Sequence, residues 1–155
     1  MRVECATIDD IPGWLRLATE VEFLFGPMIG DLGFHDFLQR SVCRGTALCI
    51  RERDGPPGAA LMGGMAFSAR PPLYRINWLS VAARWRRAGV GRGLVGWLFD
   101  QVQSPAEVVV TTFGEDIEAG WPARIFYESL GFHAAEPAPI GPEGGSRQIF
   151  RRVFE

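Results

Sequence analysis

Leu79-Ser80-Val81-Ala82-Ala83-Arg84-Trp85-Arg86-Arg87-Ala88-Gly89-Val90-Gly91-Arg92-Gly93-Leu94-Val95 is the stretch on which the fold turns. It reads as the end of a strand, a tight loop and the start of a helix. Arg86, Gly89 and Gly91 make an Arg-x-x-Gly-x-Gly core. Leu94, Val95, Leu98, Phe99 and Val102 then recur at helical spacing. Glycine lets a backbone approach a ligand with no Cβ in the way. The first amides of a helix lack intrahelical partners and carry the positive end of its dipole. Such a turn suits an anion, best a phosphate or pyrophosphate, and Arg86, Arg87 and Arg92 add charge at the same place. The same glycines also serve plain close packing of helix on sheet, so the motif alone leaves both uses open.

Two common nucleotide loops do not fit. A Walker loop needs Gly-Lys-Ser or Gly-Lys-Thr, and the 16 basic residues here are all arginine. A dinucleotide fold places Gly-x-Gly-x-x-Gly near its first strand, with an acid about 20 residues on. Here the glycines lie past the middle of the chain and are spaced differently.

The stretch resembles the acetyl-CoA loop of the GNAT superfamily of N-acetyltransferases, which shows Val-x-Pro, a spacer and Arg-x-x-Gly-x-Gly or Arg-x-x-Gly-x-Ala. Val81, Arg86, Gly89 and Gly91 match, and Ala83 stands where proline is usual. Ala123–Phe132, Ala-Arg-Ile-Phe-Tyr-Glu-Ser-Leu-Gly-Phe, is similar to the family's Ala-x-x-Phe-Tyr-x-x-x-Gly-Phe block. The two signatures stand in the family's order and separation and cover roughly Leu73 to the C-terminus.

The resemblance implies a cofactor site of Leu79, Val81, Arg86, Arg87, Ala88, Gly89, Val90, Gly91, Arg92 and Tyr127. It implies that a pantetheine arm pairs with the backbone near Leu79 and Val81, where two parallel strands splay apart. It also makes the amide near Val81 the oxyanion donor and Tyr127 the general acid. Read without the resemblance, Tyr127 is a helix tyrosine with its ring in the core and its hydroxyl at the rim.

The general base is open. The family often carries a glutamate on the strand before the loop, where this chain has Asn77 and Ser80. Glu20, Glu22, His35, Glu115 and Asp116 are the candidates, each also readable as a surface charge. The family's usual asparagine three residues before the second signature is replaced by Gly120, which removes a side-chain contact to the cofactor.

Composition bounds the rest. A chain of 155 residues reads as one domain, 1–155, with 47 % hydrophobic and 22 % charged residues. A net charge of −2 gives no global pull toward nucleic acid or an anionic membrane. Cys5, Cys43 and Cys49 are odd in number and irregular in spacing, against a disulfide framework or a zinc site, and no metal is expected. No signal peptide or membrane-spanning run is apparent, so the cytoplasm is the default, as a monomer or homodimer.

Along the chain, Arg2–Ala6 reads as a strand. Ile11, Trp14, Leu15, Leu17, Ala18 and Val21 make one face of a helix capped by Thr7 or Asp9, with Pro12 in its first turn. Phe23–Gly30 is aromatic-rich yet broken by glycine and proline, and reads as a loop. It is either a packed lid or an acceptor wall, with Phe23, Phe25 and Met28 as the substrate-binding residues. A second helix is expected over Phe34–Val42. Strands follow at Ala47–Arg51 and Ala59–Ser68 as a hairpin, with Gly63-Gly64 marking a bulge or a close approach. Another strand spans Arg75–Val81 and a helix runs to about Gln103. Val108–Phe113 reads as a buried parallel strand. Gly120–Leu130 is helical and closed by Gly131, with strands at Phe132–Ala135 and Gln148–Phe154.

The order β, α, α, three strands, α, β, α, two strands gives an α/β (α+β) fold: a mixed, mainly antiparallel central sheet with about four helices on both faces. The expected activity is acetyl-CoA-dependent N-acetyl transfer to a small-molecule or peptide amine. The alternative is a non-catalytic acyl-CoA-binding sensor or regulatory module.

Overall fold

The computed structural model describes residues 1–155. Its strands and helices are β1 (Glu4–Cys5), α1 (Ile11–Phe25), α2 (Leu32–Cys43), β2 (Ala47–Arg51), β3 (Leu61–Arg70), β4 (Leu73–Val81), α3 (Val90–Gln101), β5 (Ala106–Phe113), α4 (Trp121–Ser129), β6 (His133–Ala138) and β7 (Arg147–Phe154). The seven strands are ordered β1-β2-β3-β4-β5-β7-β6. The sheet is mixed: β4 and β5 run parallel, while β1–β2, β2–β3, β5–β7 and β6–β7 are antiparallel. This is the fold class the sequence predicts. No helix is long and apolar enough to cross a membrane.

The chain divides into two compact units, one of Met1–Phe23, Pro27–Phe67 and Trp78–Gln101, the other of Leu24–Gly26, Ser68–Asn77 and Val102–Glu155.

In the first unit α1 buries Trp14, Leu17, Ala18 and Val21, most of the face that periodicity predicts. All five residues of β2 are buried. Gly63 and Gly64 combine both expected roles. The β2–β3 register slips beside Ile50, which pairs with Gly63. A Cβ at Gly63 would lie 2.7 Å from Val90 Cγ1, and one at Gly64 2.9 Å from the Trp14 ring. The glycines thus let α3 and α1 sit directly on the strand.

Arg51, at the end of buried β2, is 4 % exposed, and its partner Asp10 is 1 % exposed. Arg51 Nε and a terminal nitrogen donate to the two Asp10 oxygens at 3.0 and 2.7 Å, and its other terminal nitrogen donates to Glu4 at 2.8 Å. Burial opposes ionisation of Asp10, but the Arg51 bonds and the amides of Gly58 and Thr7 outweigh it and hold its pKa at about 2. Burial pushes the Cys49 thiol up to about 12.

In the second unit β5 lies between its parallel neighbour β4 and antiparallel β7. The parallel register covers Leu73–Ile76 against Glu107–Val110, and β4 continues for Asn77–Val81 beyond it. Val108, Val109, Val110, Phe132 and Phe150 form the apolar centre.

Several boundaries differ from the periodicity. Helix α1 runs on through Phe23-Leu24-Phe25, so the break comes at Gly26-Pro27. Helix α2 begins at Leu32 because Asp31 caps it, accepting from the Gly33 amide at 3.1 Å. Strand β6 extends to Ala138 despite Pro137. Proline is tolerated there because β6 is an edge strand, and its register shifts between Ala134 and Pro137.

Candidate functional site

The glycine loop lies within the first unit and has the expected form. Strand β4 ends at Val81, a single helical turn spans Ala83–Trp85, and α3 starts at Val90. Gly89 has φ +85° with open space where a Cβ would stand, a left-handed position that favours glycine. Arg87 also lies at φ 64°, uncommon for a residue with a side chain. Gly93 N–H donates to Gly89 O at 2.9 Å, so the amides of Val90 and Gly91 precede this first intrahelical bond. Arg86, Arg87, Ala88, Gly89 and Arg92 are exposed, whereas Val90 and Gly91 are buried. Exposed arginines thus flank and enter the N-terminal turn of α3, where the helix dipole is positive.

The root of this loop is tied down. Ala82 N–H donates to Met62 O on β3 at 2.8 Å, and Trp85 N–H closes the turn onto Ala82 O at 2.8 Å. Arg86 Nε reaches Val81 O at 3.4 Å. Two carboxylates act as well: Glu20 accepts from the Ala83 amide at 2.9 Å, and Glu52 accepts from Trp85 Nε1 at 2.9 Å. The sequence offers Glu20 only as one of five candidate bases and gives no sign of Glu52. No local pattern links positions 63 and 33 residues from their partners.

Tyr127 belongs to the second unit, on α4, where only 7 % of it is exposed. Its ring meets Phe126 and Phe132 edge-on, with centroids 5.1 and 5.6 Å away. Burial raises its pKa, and no charge or hydrogen bond offsets that. The phenol therefore stays a neutral O–H donor across the ordinary pH range. Helix α4 ends as expected at Gly131, φ +87°. The Phe132 and Gly131 amides bond to Tyr127 O and Glu128 O at 3.1 and 3.0 Å.

Gly120 has a packing explanation that sequence could not supply. A Cβ there would overlap Cβ and the ring of Phe113. Phe113 in turn stacks on Phe25 at 4.9 Å and lies under the Arg147 guanidinium at 4.6 Å.

Of the other candidate bases, Glu22 accepts from the amides of Met28 and Ile29 at 2.5 and 3.1 Å, and those bonds lower its pKa. His35 Nε2 is bonded to Ile29 O, and Asp116 accepts from Ser146 Oγ. The Glu115 carbonyl accepts from Trp121 Nε1. The apolar residues assigned to an acceptor have different fates. Phe23 is 77 % exposed and Met28 is buried, both in the first unit. Phe25, in the second, stacks on Phe113. No group of three or more His, Cys, Asp or Glu side chains is placed to hold a metal ion.

Comparison with known proteins agrees with this geometry. The family model described as the acetyltransferase (GNAT) domain matches residues 44–134, more than half of the chain. No protein of curated function matches significantly. Among solved structures, Ard1 from Thermoplasma volcanium superposes with a TM-score of 0.76 at 17 % identity, over 99 % of this chain and 97 % of that one. A GNAT-family acetyltransferase from Bacillus cereus ATCC 10987 gives 0.73 at 15 % identity, over 99 % and 97 %. Arabidopsis thaliana Naa50, solved with the bisubstrate analogue CoA-Ac-MVNAL, gives 0.71 at 16 % identity, over 99 % and 98 %. At these identities the structures speak for the fold alone. The family rests on the model match, which spans both the glycine loop and the block around Tyr127: this chain belongs to the GNAT acetyltransferase family.

Proposed function

We propose that the protein is an acetyl-CoA-dependent N-acetyltransferase acting on the amine of a small molecule or peptide. The observation that carries this reading is the glycine loop, with exposed Arg86, Arg87 and Arg92 ahead of and within the first turn of α3. The pyrophosphate of acetyl-CoA is assigned to the amides and arginines of Arg86–Arg92. The pantetheine arm is assigned to the backbone of Leu79 and Val81.

The reaction asks little of the chain. The neutral amine nitrogen attacks the thioester carbon, a C–N bond forms and the carbonyl oxygen gains charge. The Val81 amide is assigned to that oxyanion. The carbonyl then re-forms as the C–S bond breaks, and Tyr127 is assigned as the proton donor to the departing thiolate. The proton that the nitrogen sheds leaves through water, from which the phenol is reprotonated. Burial keeps this phenol in its neutral O–H form, so that it can hydrogen-bond the departing sulfur. Phe23, large and exposed, supports an acceptor with an apolar body.

The test is thiol release from acetyl-CoA across a panel of small amines and peptide N-termini, beside calorimetric titration with CoA. Amine-dependent thiol release is expected. Tight CoA binding with no release from any amine would instead support the non-catalytic sensor.

A further inference from the structure

Ala83 donates its backbone N–H to Oε1 of Glu20 at 2.9 Å. Glu20 is half-buried on α1, and Ala83 is an exposed residue opening the Ala83–Trp85 turn. Both lie in the first unit, with the whole glycine loop. Ala82 precedes this residue at φ −55°, ψ 138°, the extended geometry that a following proline demands. The first residue of a helical turn is also where proline is best accepted. The backbone at position 83 is therefore shaped for proline, yet alanine occupies it and brings an N–H that proline lacks. Left to water, that amide would add nothing to the stiffness of the turn. A carboxylate captures it instead, in a charge-assisted bond stronger than a neutral one.

The position of the bond matters. It falls two residues after Val81 and three before Arg86, whose Nε spans back to Val81 O at 3.4 Å. Ala82 is fixed to Met62 on the neighbouring strand and Trp85 to Glu52. Between those two fixtures, the tie to Glu20 joins the turn to α1.

We propose that Glu20 is a positioning residue. It fixes the Val81–Arg86 turn through a hydrogen bond, as a proline ring at position 83 would through its locked φ. The proposal rests on reading this loop as the acetyl-CoA site, and it makes Glu20 a holder of the loop rather than the base.

The test uses Glu20→Ala, Glu20→Gln and Ala83→Pro, alone and combined, with two readouts. Trypsin cleavage at the exposed arginines Arg84, Arg86 and Arg87 reports how loose the turn is, with no need of activity. The acetyl-CoA KM, set against kcat, reports the consequence. Glu20→Ala is expected to speed cleavage about fivefold and raise KM about five- to tenfold, with kcat falling less than threefold. Glu20→Gln retains an acceptor oxygen but not the charge, and is expected to fall between wild type and Glu20→Ala in both. In an Ala83→Pro background, Glu20→Ala is expected to add no further change. Unchanged cleavage in Glu20→Ala would overturn the proposal. So would an equal effect of Glu20→Ala in the wild-type and Ala83→Pro backgrounds, or a Gln variant as impaired as Ala. A wild-type chain that binds no CoA would remove the functional reading instead, while the proteolysis still decides the tie.

Discussion

Phe113 at the end of β5 lies so close to Gly120 that a Cβ on residue 120 would overlap its Cβ and ring. The aromatic ring and the missing side chain thus fill one volume. Gly120→Asn would restore the side chain that the family often carries, but into occupied space. Overpacking of this kind costs about 1–3 kcal/mol. The variant is expected to melt several degrees lower with weakened CoA binding. Phe113→Ala alone gives up a buried ring, about 3–5 kcal/mol, and the two changes together are expected to cost less than the sum of the single variants. Chemical denaturation of the wild type, both single variants and the double variant checks it. A Gly120→Asn variant as stable as wild type would show that Phe113 yields easily.

Gly91→Glu should abolish CoA binding in a protein that still folds. Gly91 stands in the first turn of α3, where a carboxylate suits the helix dipole but would enter the proposed pyrophosphate site. Circular dichroism and calorimetry on the same samples are the measurement. Equal CoA affinity in wild type and variant would sink the loop assignment.

Arg86, Arg87 and Arg92 are exposed, so their attraction for phosphate should be screened by salt. CoA affinity is expected to fall steadily as ionic strength rises. Desulfo-CoA should compete, and dephospho-CoA should bind somewhat more weakly. Pantetheine binding as tightly as CoA would mean that the loop holds no phosphate.

Tyr127→Phe is expected to slow acetyl transfer about 10²-fold without weakening CoA binding. General acids contribute about 10²–10⁴-fold, and a thiolate, with an ordinary pKa near 8.5, is already a fair leaving group. The low end corresponds to roughly 2.7 kcal/mol. Phenylalanine keeps the edge-on packing against Phe126 and Phe132, so the hydroxyl alone is tested. Because burial raises the phenol pKa, wild-type kcat should show no loss from Tyr127 ionisation below about pH 10. An unchanged kcat, with chemistry shown to be rate-limiting, would return Tyr127 to a packing role.

The Arg51–Asp10 pair makes stability depend on acid. The Asp10 pKa falls from 3.8 to about 2 on folding, so the unfolded chain binds its proton first. The pair's contribution is full above about pH 4 and lost as pH falls toward 2, about 2 kcal/mol in all. Asp10→Asn should flatten that part of the urea-midpoint profile against pH. Arg51→Met, which strands a buried carboxylate, should cost about 3–5 kcal/mol at neutral pH. The same acid slope in Asp10→Asn and wild type would shift the effect to other carboxylates.

Sequence alone determined the order of elements, because apolar periodicity and the punctuation of glycine and proline are local properties. Gly131 could be read as a left-handed helix cap from its neighbours, and Val108–Phe113 as a buried strand from its β-branched run, whereas the left-handed φ of Gly89 came from the structure. The strand–turn–helix form of the loop from Val81 to Gly91 was legible because backbone geometry constrains a short, contiguous set of residues. Tertiary structure alone decided which distant side chain meets which amide or ring. Glu20 finds Ala83 across 63 residues, Arg51 finds Asp10 across 41, and Phe113 takes the space that glycine leaves at 120. Helix α1 likewise runs past its amphipathic stretch to Phe25, where the ring stacks on Phe113. Each of these is a contact between separate elements, fixed by packing and charge neutralisation rather than by the spacing of neighbours along the chain.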